Sequence, residues 1–466
     1  MSDAAAFLSV TELLAAYRCG ALSPLDVVRA AYDRIDGIEP KINAFCVVAD
    51  RDDALRLARE SEARWRERAP RGELDGVPVT VKDAILAKGW PTLRGSRTIS
   101  PDQPWTEDAP AVARLRENGA LILGKTTTPE FGWKGVTDSP LSGITRNPWN
   151  LALTPGGSSG GSAAALAAGI GHAAIGTDAG GSVRIPGAFC GLVALKATAG
   201  RIPNYPPSAV GTLGHVGPMT RTVRDAALML NVMAAPDGRD WVCLPAAELD
   251  YRLGLDRGVR GLRIAYSPAL GYAKVQPEVR ALVAKAVAAL EALGARVEEV
   301  ARPFEDPTET FRTHFFAGIA HSVRNLGERQ LAQLDPDLLK VLEKARKVTL
   351  TDYMSAIDRR AALGRETRAF HEKYDLLVTP TLAVTPFEAG RIAPEGYGDD
   401  WTSWTPFTYP SNLTGQPAAT VPCGFVAGDR PVGLQIVGGM YQDDVVLRAA
   451  QAYQQTQDPR PRHPEL

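Results

Sequence analysis

Two glycine-rich turns, each carrying serine, constrain this chain more than any other feature. The first reads Gly-Gly-Ser-Ser-Gly-Gly-Ser over residues 156–162, and the second reads Asp-Ala-Gly-Gly-Ser over residues 178–182. Glycine lets the backbone turn tightly and approach a ligand closely, so the paired glycines predict accessible N–H groups beside each serine. The alanine-rich stretch 162–169 predicts a helix, and residues 173–177 predict a strand. Both serine turns are therefore expected at the ends of regular elements.

The rest of the chain alternates predicted helices with predicted strands. Besides 173–177, strands are expected at 77–81, 120–123, 262–266, 296–300, 376–379 and 433–437. Helices are expected at 9–37 (two helices), 52–67, 111–118, 222–233, 277–293, much of 307–373 and 445–454. Helix followed by strand, repeated many times, is typical of an α/β fold with a mainly parallel sheet under helical cover.

A lysine follows the first of these strands. Residues 77–81 are a short apolar run, and Lys82 and Asp83 come directly after it. Burial at the end of an apolar strand disfavours the charged form of a lysine and lowers its pKa. Adjacent side chains on a strand point to opposite faces, so Asp83 can be turned away from Lys82. A neutral lysine could take the proton of a serine hydroxyl without the help of a histidine.

Each of these pieces also has an ordinary explanation when it is taken alone. Lys82 alone fits a solvated lysine at a strand end, since lysine is seldom buried. Ser158 alone fits a turn serine. A glycine run before a helix can also hold a phosphate, but the Gly-x-x-x-x-Gly-Lys-Ser/Thr arrangement is absent from the sequence. The combination of Lys82, Ser158 and Ser182 is what favours nucleophilic catalysis.

Taken together, the pieces resemble the signature of the amidase signature family. Lys82 falls in the Pro-Val-x-Val-Lys-Asp setting of that family, Ser158 in Gly-Gly-Ser-Ser-Gly-Gly, and Ser182 in Asp-x-Gly-Gly-Ser. Matching motifs continue as far as the segment Pro-Val-Gly-Leu-Gln-Ile-Val-Gly at 431–438, so the resemblance covers most of the chain.

The resemblance implies a role for each matched residue. Ser182 would be the nucleophile, Ser158 would bridge through a cis peptide bond, and Lys82 would be the base. The N–H groups of Ala179, Gly180 and Gly181, together with that of Ser182, are expected to form a nest for the developing oxyanion. Gly132 and Trp133 match a loop that lines the acyl pocket in family members. Asp178 and Arg184 are expected to be structural partners that hold the nucleophile's loop.

The family also implies the domain organisation. We expect a single amidase signature domain over 1–466, with a central mixed, mainly parallel β-sheet covered by helices on both faces. Within it we distinguish an N-terminal helical segment at 1–70, a signature core at about 76–235, and a C-terminal part at about 260–466 that completes the sheet and its lid loops. Many members of the family form dimers, which suggests a homodimer, although the sequence itself leaves the oligomeric state open.

Composition narrows the classes of partner and compartment. The chain has 52 Lys and Arg against 53 Asp and Glu, a balance that gives no electrostatic footprint for nucleic acid or an anionic membrane. Its five cysteines are dispersed, which is typical of reduced thiols in a cytoplasmic protein. The histidines make no metal-binding pattern, so we expect neither a metal nor another cofactor. We also expect no membrane span, because no long stretch is free of charge.

Three functions are compatible with these features. The first is a hydrolase that cleaves C–N bonds of small apolar or aromatic amides through a serine acyl-enzyme, and that extends to esters and carbamates. The second is the glutaminase subunit of a tRNA-dependent amidotransferase, and the third is an inert binding protein on the same fold. The intact triad argues against the third. Relatives that bind glutamine carry an aspartate where this chain has Thr405, and Trp401 and Trp404 crowd the same loop, which together favour the first.

Overall fold

The structure is a computed structural model, and it describes residues 3–458 and 462–466. The strands are β1 Phe45–Val48, β2 Pro78–Lys82, β3 Leu121–Thr126, β4 Asp138–Ser139, β5 Gly143–Ile144, β6 Ala173–Asp178, β7 Val193–Lys196, β8 His215–Thr220, β9 Arg263–Tyr266, β10 Arg296–Glu299, β11 Leu376–Pro380, β12 Ala418–Val426 and β13 Arg430–Gly438.

Helices fill most of the chain between these strands. They are α1 Val10–Cys19, α2 Pro24–Ile42, α3 Arg51–Arg66, α4 Pro110–Glu117, α5 Gly160–Ala167, α6 Arg184–Phe189, α7 Val223–Met233, α8 Pro277–Ala292, α9 Thr308–Ser322, α10 Glu328–Leu331, α11 Pro336–Ala345, α12 Leu350–Lys373, α13 Tyr409–Thr414 and α14 Asp443–Gln454. Within the described residues, every helix is too short or too polar to cross a bilayer.

Capping residues explain where the first two helices begin. The Ser9 hydroxyl accepts the N–H of Glu12 at 3.1 Å, and the Glu12 carboxylate accepts the N–H of Ser9 at 2.8 Å, which is a capping box at the start of α1. Ser23 caps α2 through the N–H of Leu25, and Pro24 occupies the first helical position. Two helices here agree with the prediction for residues 9–37.

Eleven strands form one mixed sheet in the order β1-β3-β2-β6-β8-β7-β12-β13-β11-β9-β10. Strands β3, β2 and β6 pair in parallel, as do β11, β9 and β10. The strands between these two groups pair antiparallel, and β1 is an antiparallel edge. The α/β class and the mixed sheet are as predicted.

Helices cover both faces of the sheet. Neighbouring residues of one strand show this, because they pack in two different hydrophobic cores. Leu376 and Val378 of β11 pack in a core that includes residues of α1, α4, α7, α8 and α14. Leu377, between them, packs in a second core with residues of α9, α11 and α12. Because successive side chains on a strand point to opposite faces, these are the two sides of one sheet. The predicted helical cover on both faces is confirmed.

Candidate active site

The site lies where the neighbouring parallel strands β2 and β6 end. Val79 and Val81 of β2 pack in the first core, so the period of two sends the Lys82 side chain to the other face, where the turn before α5 carries Ser158. The Nζ atom of Lys82 donates to Oγ of Ser158 at 2.6 Å and to Oγ1 of Thr177 at 2.8 Å. The peptide bond between Gly157 and Ser158 is cis, as the resemblance implies.

The environment of Lys82 favours the neutral amine. Its side chain is fully buried, and burial lowers its pKa from 10.5 to about 7, although the charges of Asp178 and Asp83 act in the opposite direction. Asp83 is turned away from the serines, as predicted. Its carboxylate accepts the N–H groups of Leu93 and Gly95 and lies 3.6 Å from Nζ of Lys125. Lys82 can therefore act as a base near neutral pH.

Ser182 follows β6 in a tight glycine turn and is almost fully buried. Gly181 has φ of +122°, and a Cβ there would lie 2.4 Å from Oγ1 of Thr408. A Cβ on Gly180 would lie 2.6 Å from the Phe311 ring. The backbone N–H of Ser159 donates to the carbonyl of Ser182 at 3.1 Å, which joins the two serine turns. The glycines are thus required by both backbone conformation and close packing.

The turn that carries Ser182 leaves open some, but not all, of the N–H groups expected to form the nest. The N–H of Gly181 donates to Oδ1 of Asp178 at 2.8 Å, so it is occupied rather than open to an oxyanion. Asp178 takes this N–H because its carboxylate is fixed three residues earlier in the same turn. The N–H groups of Ala179, Gly180 and Ser182 donate to no other group in the described residues. Of the N–H groups expected to form the nest, those of Ala179, Gly180 and Ser182 are therefore the ones left open, and their role toward an oxyanion stays a prediction.

A buried ion pair stabilises this turn. Arg184 donates through Nε to Oδ2 of Asp178 at 3.0 Å and through Nη2 to Oδ1 at 2.9 Å. Arg184 also binds Gln435 at 2.8 Å and Asn412 at 2.7 Å. Burial alone would raise the pKa of Asp178, but the charge and hydrogen bonds of Arg184 outweigh it and keep that pKa well below its usual range. The predicted structural partnership of Asp178 and Arg184 agrees with this geometry.

A cavity of about 120 Å³ opens at the serines. Ser158, Thr177, Ala179, Ser182 and Gly132 form one side of it. Its other walls are mainly apolar and come from Ile85, Phe131, Pro203, Tyr205, Pro206, Phe315 and Ile319. No group of three or more His, Cys, Asp and Glu side chains in the described residues is arranged to hold a metal ion.

Trp133 does not occupy the position expected of it. Among the described residues, those that line the cavity include Phe131 and Gly132 but not Trp133. The Trp133 indole is buried and donates to Oδ2 of Asp335 at 3.3 Å, beside Lys134, which donates to the same oxygen at 2.8 Å. Gly132 of the same loop does line the cavity, whereas the hydrogen bond to Asp335 at the start of α11 holds the Trp133 indole elsewhere.

The aromatic loop expected to crowd the pocket is also packed elsewhere. Trp401 is buried edge-on against Phe311, with ring centroids 5.7 Å apart, and Trp404 stacks on Phe189 at the same separation. Thr405 is buried and donates to the carbonyl of Trp401 at 3.2 Å. This loop packs against the turn that carries Ser182, and none of these residues is among the described residues that line the cavity.

Sequence reasoning missed two residues at this site. Thr177 was assigned only to a strand, yet its hydroxyl is the second acceptor of the Lys82 amine. Its place beside Asp178, on a strand next to β2, was the available signal. Arg94 also lines the cavity, and its sequence context gave no signal, since it lies in a turn without regular structure.

Comparison with known proteins agrees with this geometry. The amidase family model matches residues 26–447. An acylamidase of Rhodococcus erythropolis is 41% identical over 452 residues, which cover 95% of this chain and 94% of the relative. A glutamyl-tRNA(Gln) amidotransferase subunit of Roseiflexus castenholzii (strain DSM 13941 / HLO8) is 36% identical over 475 residues, covering 96% and 95%.

A solved structure is similar over nearly the whole chain. The crystal structure of a bacterial aryl acylamidase of the amidase signature enzymes superposes with a TM-score of 0.89 and 31% identity, and the match covers 96% of each chain. The family match, these relatives and the shared fold lead to one conclusion: the chain belongs to the amidase signature family and is a hydrolase of amides.

Proposed function

We propose that this enzyme is an acylamidase that cleaves the C–N bond of small apolar or aromatic amides through an acyl-enzyme on Ser182. The observation that carries the proposal is the 2.6 Å contact between the Lys82 amine and the Ser158 hydroxyl, in one cavity with Ser182. The name of the Rhodococcus relative and the fold of the aryl acylamidase support it.

In the proposed reaction, neutral Lys82 accepts a proton from Ser158 as Ser158 takes the proton of Ser182. The Oγ atom of Ser182 bonds to the carbonyl carbon, and its oxyanion is stabilised by the N–H groups of the nucleophile's turn. Collapse breaks the C–N bond, and the amine leaves with the proton returned through Ser158. Water then attacks the acyl carbon, and the acid and Ser182 are released.

The walls of the cavity support a preference for apolar or aryl substrates. Phe131, Phe315 and Ile319 present apolar surface next to Gly132 and the serines. Each Å² of such surface removed from water contributes about 25 cal/mol. Because the triad chemistry acts on any activated carbonyl, esters and carbamates of similar shape belong to the same proposed range.

The glutaminase component of an amidotransferase is the second candidate, since a relative of that kind is 36% identical. Such a protein must hold the α-ammonium of glutamine. Among the described residues that line the cavity there is no Asp or Glu, so that ammonium would be left without a carboxylate partner. A buried unpaired charge is costly, which favours the acylamidase.

The deciding experiment compares purified protein on 4-nitroacetanilide, glutaramate and glutamine, without tRNA or ATP. We expect hydrolysis of the anilide, faster turnover of glutaramate than of glutamine, and loss of all activity in Ser182→Ala. A fluorophosphonate should label Ser182 in the unmodified protein and leave S182A unlabelled. Glutamine preferred over both other substrates would support the amidotransferase function, and a fully active S182A protein would refute the proposed nucleophile.

A further inference from the structure

The cavity at Ser182 contains one charged side chain that the proposed chemistry does not use. Arg94 lines it together with Phe131 and Gly132. The Arg94 guanidinium makes no hydrogen bond and no ion pair with any residue that the structure describes. A partly buried cation without a partner is costly, and burial lowers the pKa of Arg94. An arginine in this position is suited to pair with an anionic group of a bound ligand.

The carboxylate of Asp83, whose charge acts on Arg94, is already engaged. Asp83 accepts the N–H groups of Leu93 and Gly95, on either side of Arg94, and its charge lies 3.6 Å from the Lys125 amine. The Asp83 carboxylate therefore holds the backbone of the turn around Arg94, and the Lys125 amine balances the charge of that carboxylate. The opposing charge of Asp83 still favours the protonated form of Arg94.

Among the described residues, no acidic side chain faces Arg94 across the cavity. No Asp or Glu is among the described residues that line it. His215 also lines the cavity, and burial lowers its pKa to about 3, so it is neutral. Asp178, behind the oxyanion turn, is paired with Arg184. Among the described residues that line the cavity, Arg94 therefore has no acidic counterpart.

The backbone that presents Arg94 is held in an uncommon conformation. Arg94 has φ of +53° and Phe131 has φ of +52°, both in the left-handed region that side chains other than glycine seldom adopt. The N–H of Phe131 donates to the carbonyl of Arg94 at 2.8 Å, and the N–H of Arg94 donates to the carbonyl of Asp83 at 3.0 Å. Such conformations cluster at ligand sites, and here both residues lie on the wall of one cavity.

We propose that Arg94 is a specificity residue that pairs with a carboxylate of the substrate, so that the site favours amides carrying an acidic group beside an apolar or aryl body. The inference rests on the proposed function, since it names the substrate class of that same site. A guanidinium can bind both oxygen atoms of a carboxylate in a fork, which an uncharged isostere cannot match.

Two matched pairs of anilides test the proposal on both sides of the scissile bond. On the acyl side, succinanilate is compared with the anilide of 4-methylpentanoic acid, in which isopropyl replaces carboxylate. On the amine side, 4-acetamidobenzoate is compared with 4-isopropylacetanilide. We expect the unmodified enzyme to prefer the carboxylate in at least one pair. In Arg94→Gln that preference, as a ratio of kcat/KM values, should fall about tenfold or more, mainly through KM.

Further variants separate charge from folding. Arg94→Lys should keep part of the preference, because it keeps the charge without the fork. Arg94→Asn tolerates the left-handed conformation and removes the charge, so it covers the case in which R94Q misfolds. Arg29→Gln is the control, since Arg29 is an exposed arginine paired with Asp26 on the surface of α2, and it should leave the ratio unchanged.

Binding gives a readout that does not depend on turnover. Titration calorimetry of each carboxylate into S182A protein should show binding of at least one of them, with an affinity that weakens with salt and is lost in the S182A/R94N double variant. No carboxylate preference in either pair, equal losses for both members of a pair in R94Q, or no binding of either carboxylate at millimolar concentration would each overturn the proposal. Failure of the proposed function is a separate result, seen as absent cleavage of every anilide while the carboxylates still bind through Arg94.

Discussion

Arg184 binds both carboxylate oxygen atoms of Asp178, and neither side chain is exposed. The same carboxylate accepts the N–H of Gly181, so the ion pair sets the turn that leads to Ser182. Asp178→Asn keeps the shape and removes the charge opposite Arg184. We expect the free energy of unfolding, measured with urea, to fall by about 3–5 kcal/mol, the usual cost of breaking a buried pair.

The matched control is Asp256→Asn, which breaks an exposed ion pair with Arg224. Its cost should stay below about 1 kcal/mol, because surface pairs contribute little. Equal losses in the two variants would contradict the role assigned to the buried pair.

Activity should depend on pH through Lys82. The amine acts as a base only when neutral, and its pKa is lowered to about 7. As pH falls through about 7, Lys82 gains a proton and kcat/KM should fall about tenfold per pH unit. A steady-state profile between pH 5 and 9 on a neutral anilide measures this. A flat profile across that range would place the base elsewhere.

Thr177 is expected to position the Lys82 amine, whose second hydrogen bond it accepts at 2.8 Å. Thr177→Val removes the hydroxyl and keeps the shape, so kcat should fall while KM changes little. Loss of an acceptor also destabilises the protonated amine, which should move the acid limb of the pH profile to lower pH. Thr177→Ser should restore both values. An unchanged acid limb in T177V, with kcat lowered, would indicate a merely structural role.

Stability should reveal the cost of burying Lys82. Its pKa is about 7 in the folded chain and 10.5 when free, so the unfolded state binds more protons between these values and stability rises with pH there. Each pH unit of that interval corresponds to about 1.4 kcal/mol. Lys82→Met should be inactive, and its Tm advantage over the unmodified enzyme should be larger at pH 6 than at pH 9. A Tm difference that grows with pH would have the wrong sign.

The position of Trp133 can be tested by substitution. Trp133→Phe removes the hydrogen bond to Asp335 and leaves the cavity wall in place. The relative kcat/KM values for acetyl, butanoyl and benzoyl anilides should therefore stay in the same proportion, with at most a small loss of Tm. Gly132→Ala is the informative companion, since a Cβ at Gly132 would lie 3.2 Å from Oγ of Ser158 and should impair all three. A shifted acyl preference in W133F would return Trp133 to the pocket wall.

The predictable part of the fold follows local pattern. Strands β2, β3 and β6 were predicted because each is an apolar run next to a helix. The pattern does not predict β1, β4, β5, β7, β8 or β12, and three of these strands, β8, β7 and β12, lie side by side in the antiparallel centre of the sheet. In β8 and β12 the sequence places Gly217-Pro218 and Pro422 with Gly424, residues typical of turns, and tertiary pairing overrides that preference.

The residues of the candidate site also differ in how far local sequence predicts them. Lys82, Ser158 and Ser182 could be predicted because the motifs that carry them are contiguous in sequence. The direction of the Trp133 indole could not, because it depends on Asp335, which lies 202 residues further along the chain. The direction of the Asp83 side chain follows from strand alternation. The contact of Asp83 with Lys125, which leaves Arg94 without an acidic partner among the described residues, depends on the pairing of β2 with β3.

The cavity at the serines is assembled from two sources, and this arrangement matters for changing the enzyme. Lys82, Ser158 and Ser182 belong to the ends of sheet strands and to the turns fixed behind them. Much of the opposite wall comes from the loop at 203–210 and from Phe315 and Ile319 of α9. Libraries for directed evolution that are confined to those two segments would vary which amides are accepted while the reacting groups stay in place.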